Sequence, residues 1–387
     1  MKRLHIGALL LAVPTALVPA VGAAASSGKD ATPAPLVSVE KAEAGTAIPS
    51  NYIVTLKPGV DAKKLTGEKK VKAKHVYKVL NGFSAKLSGD QLDALRRSDK
   101  VAAIEEDQTY RADATQYNAP WGLDRIDQRS GRDGAYNYTR NGSGVTAYII
   151  DTGIDTAHSD FGGRARNVFD AFGGNGADCH GHGTHVAGTV GGNTYGVAKG
   201  VQLRGVKVLN CQGSGSTSGI VAGFDWVRQN AVKPAVANAS LGGGYSTALN
   251  NAATNLANSG VHLAVAAGNE NQDACNVSPA SASGTITVAA SDSSDRKASF
   301  SNYGSCTDLY APGVSITSAR MGGGSTSMSG TSMASPHVSG VAALYKSNYG
   351  DASSATVNQW LTSNATTNVI GGNVGSTPNR LLFKAGL

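Results

Sequence analysis

The sequence predicts an α/β chain with a mostly parallel sheet carrying helices on both faces, preceded by a small ferredoxin-like α+β unit. Three observations carry this. In the C-terminal two-thirds, apolar runs of strand length (Val145–Ile150, Leu203–Leu209, Val236–Ser240, Val261–Ala267 and Gly284–Ala290) alternate with helical stretches, as in a parallel sheet covered on both faces. Between residues 49 and 113 the order is strand, helix, strand, strand, helix, strand, which is a split βαβ unit. Glycine is abundant, 49 of 387 residues, and only 16% of residues are charged, which suits a turn-rich body rather than a coiled coil or a disordered tail.

Taken in order, Met1-Lys2-Arg3 is a basic start, and Leu4 to Val21 is an apolar stretch shortened by Pro14 and Pro19 and followed by Gly22-Ala23-Ala24-Ala25. That is the pattern of a secretory signal over residues 1–25, cut near Ala25. A secreted, extracellular protein with no membrane attachment after signal removal is expected. Residues 26–48, rich in Ala, Pro, Ser and Lys, read as a linker. In 49–113, Tyr52–Leu56 is a strand and Ala62–Lys69 a short helix. Val76–Leu80 and Gly82–Leu87 flank Asn81 as a hairpin, Gln91–Arg97 is an amphipathic helix and Val101–Glu105 a last strand. Glu106 to Asp113 carries little structural signal. Residues 114–387 form the main domain.

Charge excludes one class of partner. From Ala114 onward there are 17 Lys and Arg against 15 Asp and Glu, about +2, so +5 of the formal +7 lies before it. Nothing resembles a concentrated nucleic-acid face. The four cysteines, Cys179, Cys211, Cys275 and Cys306, allow three pairings, and the secretory start argues for an oxidising compartment where they would bond. Sequential pairing would close loops of 32 and 31 residues, each stabilising by roughly 3–4 kcal/mol.

Three stretches carry chemistry. Ser327-Met328-Ser329 turns at Gly330 into Thr331-Ser332-Met333-Ala334-Ser335-Pro336-His337, with a buried helix from Val338 to Tyr345. A serine there sits at a helix N-terminus, where free N–H groups favour developing negative charge, and Pro336 fits a first helical turn. The strand Val145–Ile150 ends in Asp151-Thr152-Gly153, a carboxylate at the carboxyl end of a parallel strand. His182-Gly183-Thr184-His185 opens another small-residue helix. No Gly-x-Ser-x-Gly elbow occurs, and the chain order Asp, His, Ser differs from the chymotrypsin and α/β-hydrolase orders.

On these motifs the chain resembles the subtilisin-like serine proteases (peptidase S8 family), in their proteinase K and aqualysin branch. Ala114 to Asp127 resembles the mature N-terminus of that branch, with processing near Asp113/Ala114, and residues 49–113 resemble its inhibitory, folding-assisting prodomain. The resemblance implies Ser332 as nucleophile, His182 as base, Asp151 as its partner, and Asn269 as the second oxyanion donor beside the Ser332 N–H. It implies that His185 and His337 are structural. Gly213-Ser214-Gly215 and Ser240-Leu241-Gly242 match the segments that pair with an extended peptide, where glycines let backbones approach. Neither segment brings a charge to the primary pocket, so an apolar or aromatic preference with broad tolerance is expected. No catalytic cofactor is implied, but structural Ca²⁺ is, at Asp308 with the carbonyls of Ser283 and Thr285 and at a second site of Asp124, Asp127 and Gln128. A monomer is expected, with protein and peptide substrates and its own prodomain as intramolecular inhibitor.

Two rival readings deserve a test. Cys179-His180-Gly181-His182-Gly183-Thr184-His185 superficially offers zinc ligands, but no Cys-x-x-Cys partner or His-Glu-x-x-His accompanies it; the role of His180 stays open. The alternative within the same fold is a catalytically inactive secreted binding or inhibitor protein, against which all the implied catalytic residues stand.

Overall fold

The structure, a computed structural model, describes residues 36–42, 47–108 and 114–387. The expected signal with its cut near Ala25, most of the 26–48 linker and the Asp113 side of the processing point lie outside the described residues. The chain divides into two units, a smaller one ending at Asp107 and a larger one from Gln108 onward.

The smaller unit contains β1 (Val39–Glu40), β2 (Ala47–Leu56), α1 (Ala62–Glu68), β3 (Ala73–Tyr77), β4 (Gly82–Lys86), α2 (Gly89–Arg96) and β5 (Val101–Gln108). Its sheet runs β1-β5-β2-β4-β3 over a core of Val54, Leu65, Phe83, Leu95 and Ile104. Each helix starts where a side chain takes an orphan amide: Asp61 accepts from Lys64 N–H, and Ser88 and Gln91 form a capping box. Three expectations are corrected. Val39–Glu40, inside the expected linker, is an edge strand parallel to Ile104–Glu105. The third strand ends at Tyr77 because Lys78 to Asn81 makes the turn, with Asn81 left-handed at φ +47°. The last strand runs on to Gln108.

The larger unit opens with β6 (Ala114–Tyr117), α3 (Trp121–Ile126) and β7 (Ala135–Tyr138). Then come β8 (Thr146–Asp151), β9 (Ala165–Asp170), α4 (His182–Gly191), β10 (Gln202–Lys207), α5 (Thr217–Asn230), β11 (Ala235–Ala239), β12 (Gly243–Gly244), α6 (Thr247–Asn258) and β13 (His262–Ala266). The rest is β14 (Val277–Ser278), β15 (Ile286–Ser291), β16 (Leu309–Pro312), β17 (Ile316–Ala319), β18 (Ser325–Met328), α7 (Thr331–Tyr349), α8 (Ser354–Asn364), β19 (Thr366–Thr367) and β20 (Arg380–Leu381). The main sheet is ordered β19-β20-β16-β15-β13-β11-β8-β10-β9, parallel in every pair except β19–β20.

Continuous apolar strands follow from cover on both faces. In β8 every residue is buried, and the side chains alternate: Ala147 and Ile149 pack with Val186, Val190 and Val338 of α4 and α7, Tyr148 and Ile150 with Phe224, Val227 and Leu256 of α5 and α6. The expected architecture is thus present. The adjacent strands β13, β11 and β8 deliver three segments to one end of the sheet: Gly268-Asn269, Ser240 and Asp151. The cysteines pair sequentially, Cys179–Cys211 and Cys275–Cys306. Among the described residues no helix is long and apolar enough to cross a membrane.

Candidate active site

Asp151 ends β8 wholly buried, its carboxylate accepting the Thr152 N–H at 2.7 Å. His182 opens α4 and donates from Nδ1 to both carboxylate oxygens, at 2.8 and 2.9 Å. This fixes the tautomer and leaves Nε2 as a lone pair toward the cleft. Burial alone would lower the His182 pKa, but the Asp151 charge and hydrogen bond, with the Asp178 charge, raise it above the ordinary histidine value.

The start of α4 is held by Asp178, a residue the sequence reading passed over. Its carboxylate accepts the N–H groups of His180 and Gly181 at 2.9 Å, the Thr184 N–H at 3.0 Å, and the hydroxyls of Thr184 and Thr152. Burial would raise the Asp178 pKa, yet these donors hold it below the usual carboxylate value. Thr152 in turn accepts the Gly183 N–H. A side chain on Gly183 would run into the Gly153 carbonyl, so the helix lies directly against the turn after Asp151.

Ser332 is the second residue of α7. Pro336 stands beyond the first turn, which corrects the expectation for it. Lacking an N–H, it leaves the Ser332 carbonyl without its helical partner, and Ser240 Oγ donates to that oxygen at 2.8 Å instead. Ser240 Oγ accepts from Asn238 Nδ2, while Asn238 Oδ1 takes the hydroxyls of Ser335 and Ser339. A buried polar network therefore fastens the end of β11 to α7 at Ser332. Ser332 Oγ itself donates to the Ser240 carbonyl at 3.2 Å, and among the described residues no hydrogen bond joins it to His182. Catalytic hydrogen bonds of this kind are often long until substrate is bound.

Asn269 follows β13 and is oriented by α7: its Oδ1 accepts the Thr331 N–H at 2.8 Å and the Thr331 hydroxyl at 3.0 Å. The amide NH₂ is thereby turned away from the helix and stays available. Asn269 and Ser332 line one pocket of about 240 Å³ with Leu241–Gly244, Ala266 and Glu270. Glu270, outside the two expected peptide-binding segments, adds a carboxylate to the lining of this pocket; its Oε2 accepts from Asn302 Nδ2 at 2.9 Å. The signal was in plain sight, one residue after Asn269. Gly213, Ser214, Gly215, Ser240, Leu241 and Gly242 line a second pocket of about 390 Å³ together with His180 and His182. All six expected peptide-binding positions thus border one cleft.

His185 and His337 sit apart from this cleft, buried. His185 Nε2 holds the carbonyls of Ile316 and Thr326, tying α4 to the β17–β18 hairpin, and His337 Nδ1 bonds the Met333 carbonyl. Burial pushes both down to about 4, so neither is a base poised for neutral pH.

The calcium positions divide. Asp308 is half-buried, its desolvation raises its pKa, and its Oδ2 accepts the Thr287 N–H, two residues beyond Thr285. A partly desolvated carboxylate beside carbonyl-bearing chain is hard-cation chemistry. The Ser283 carbonyl already takes the Thr254 hydroxyl, and the Thr285 carbonyl takes Asn358 Nδ2, each keeping one lone pair for a cation. The second set fits less well. Asp124 accepts N–H donors from Asp133, Gly134 and the Gln128 amide, and Asp127 takes the Asn137 N–H at 2.7 Å, so most of this acceptor capacity is spent on fastening the chain before β7. Among the described residues no three His, Cys, Asp or Glu side chains converge as a metal site.

Comparison with known proteins adds the following. The Subtilase family profile matches residues 142–384 and the Peptidase inhibitor I9 profile residues 60–113. An "Extracellular serine proteinase" of Thermus sp. (strain Rt41A) is 48% identical over 381 residues, covering 90% of this chain and 92% of the relative. A "Cuticle-degrading protease" of Metarhizium anisopliae is 43% identical over 394 residues, 98% of this chain and 99% of the relative. The solved structure of a cold adapted subtilisin-like serine proteinase, 52% identical, superposes with a TM-score of 0.68, covering 69% of this chain and 98% of that one.

Proposed function

The chain belongs to the subtilase family and is a serine endopeptidase carrying an I9 inhibitor segment, and from that premise we propose that Asp151, His182, Ser332 and Asn269 carry out acyl transfer in a secreted pre-pro-enzyme. The observation that carries the assignment is the donation from His182 Nδ1 to both carboxylate oxygens of Asp151, which leaves Nε2 free beside two adjoining pockets, one lined by His182 and the other by Ser332, that share Leu241 and Gly242.

Ser332 Oγ attacks the scissile carbonyl as His182 Nε2 takes its proton, and Asp151 stabilises the imidazolium. The oxyanion forms against the Ser332 N–H, an orphan amide in the first turn of α7, and the Asn269 NH₂. His182 then protonates the leaving amine, and water attacks the acyl-enzyme along the reverse path. The substrate chain adds as a strand to Gly213–Gly215 and Ser240–Gly242. The 240 Å³ pocket takes the side chain before the scissile bond. Apolar and aromatic residues suit its walls, and Glu270 extends tolerance to basic ones. Ca²⁺ bound by Asp308 and the Ser283 and Thr285 carbonyls would supply structural rigidity, with no part in bond cleavage.

Residues 1–25 act as a secretory signal, residues 49–113 fold and inhibit the enzyme as a prodomain, and residues 114–387 are the mature monomer. The test is the intact mass of the secreted wild type and of Ser332→Ala under non-reducing conditions. Wild type near residues 114–387 and four hydrogens light, beside an uncleaved mutant, is the expected result. Both at one processed mass would overturn self-processing. Failure of a serine-directed phosphonylating reagent to label Ser332 would favour the inactive-homologue alternative.

A further inference from the structure

His180 has no task in the reaction as described. It stands two residues before His182, exposed, and lines the same 390 Å³ pocket. The two ring centroids are 6.3 Å apart with the planes at 64°, edge to face. The backbone at His180 is fixed by its N–H on Asp178 and by the neighbouring Cys179–Cys211 disulfide, while neither ring nitrogen has a hydrogen-bond partner among the described residues. Its Nε2 lies over Gly213, where even a Cβ would approach to 3.1 Å. The bare glycine leaves the ring room to turn.

We infer that His180 and His182 form a reversible inhibitory site for a borderline divalent transition ion, with Zn²⁺ as its representative. Metal-binding imidazoles nearly always donate their second nitrogen to a carboxylate or carbonyl, which fixes the tautomer and raises ligand basicity. Asp151 gives His182 that arrangement, so the Nε2 lone pair that serves as base is also a prepared metal ligand. Two imidazoles on one zinc, at bonds of about 2.0–2.1 Å, hold their ring centroids roughly 5–6 Å apart. The observed 6.3 Å lies just beyond this, and binding requires the exposed His180 ring to turn a nitrogen from Gly213 toward His182 Nε2. Water fills the remaining positions, since no third His, Cys, Asp or Glu converges here among the described residues. The site is therefore a weak clamp rather than a structural zinc centre. Occupied, it removes the only lone pair that can take the Ser332 proton, and turnover stops until the ion leaves.

The inference rests on the Asp151–His182 arrangement, and its test reads metal binding as well as turnover. Mature wild type, His180→Ala and His180→Asn are titrated with ZnCl₂ in calcium-saturated buffer. Peptide hydrolysis is normalised to each protein's own metal-free rate, and heat of binding is measured alongside. The expected result is inhibition of the wild type reversed by a zinc-selective chelator, with the half-inhibitory concentration raised at least about tenfold in both variants and the matching calorimetric site lost. Magnesium at the same concentrations should do nothing. Equal zinc sensitivity in wild type and both variants would overturn the inference, as would a wild type untouched at millimolar zinc. If the wild type hydrolyses no peptide, calorimetry still decides the metal site, so failure of the proposed activity remains separable.

Discussion

His262 opens β13 with no exposed surface, and neither ring nitrogen finds a hydrogen-bond partner among the described residues. Burial, helped by the Lys346 ammonium and opposed by the neighbouring Asn358 side chain, pushes its pKa down to about 3. An unfolded chain would titrate this imidazole at about 6.5. Below that pH the unfolded state binds a proton that the folded state refuses, so stability falls as the pH drops from about 6.5 toward 3. Linkage gives a penalty of about 2 kcal/mol at pH 5 and near zero at pH 8. His262→Leu keeps a side chain of similar volume and removes the proton. In a body of this size about 2 kcal/mol corresponds to roughly 4 °C of melting temperature. The assay is scanning calorimetry at one scan rate on the mature enzyme, blocked at Ser332 to prevent autolysis. The drop in Tm from pH 8 to pH 5 should be smaller in the variant by about that amount. Contributions from His185 and His337, both low at about 4, are common to the two proteins and cancel. Equal drops in wild type and variant would refute the reasoning, because His262 would then have to be protonated or solvated in the native state.

Three further outcomes follow from the cleft. Asn269→Ala should lower kcat by about 10²–10³ with little change in KM, the cost of one lost oxyanion donor; Asn269→Asp, which keeps the acceptor for Thr331 but not the NH₂, should lose at least as much. Asp178→Ala strips the acceptor from the start of α4 and should cost about 1–2 kcal/mol of stability, roughly 2–4 °C by calorimetry, with a fall in kcat as His182 loosens. Glu270→Gln should reduce kcat/KM for peptides with lysine or arginine before the cut by up to about fivefold, the range of an exposed ion pair, while phenylalanine peptides keep theirs; an equal effect on both would place Glu270 outside the pocket.

Local signals were legible in the sequence because their causes are local. Val145 to Ile150 reads as a buried parallel strand from its apolar run alone, and β8 occupies residues 146–151. Asp151, His182 and Ser332 each sit at a strand end or helix start marked by a neighbouring glycine or glycine-bearing turn and so stand out motif by motif, whereas Asn269 is a turn residue after Gly268 that only the family resemblance singles out. What escaped depends on partners far away in the chain. Val39–Glu40 is too short to show a period, and it is a strand only because Ile104–Glu105 offers it an edge. Pro336 is locally compatible with a first turn, and nothing near it announces that Ser240, 92 residues from Ser332, fills the hydrogen bond it removes.

That last case shows how the fold and the chemistry are joined. A proline one turn after Ser332 costs α7 a backbone hydrogen bond. The same vacancy frees a carbonyl to be gripped from β11, whose next residues are the ones proposed to bind substrate. Ser240 thus bonds the Ser332 backbone through its hydroxyl and the Ser332 side chain through its carbonyl. Ser332 and the proposed peptide-binding edge are located by one residue, so a displacement of either moves both. Asp178 does the same for His182, joining the turn after Asp151 through Thr152 to the start of α4 through His180, Gly181 and Thr184. The alignment of the cleft therefore resides in these two polar junctions more than in the apolar layers beneath, which hold the strands without specifying where the side chains at their ends must point.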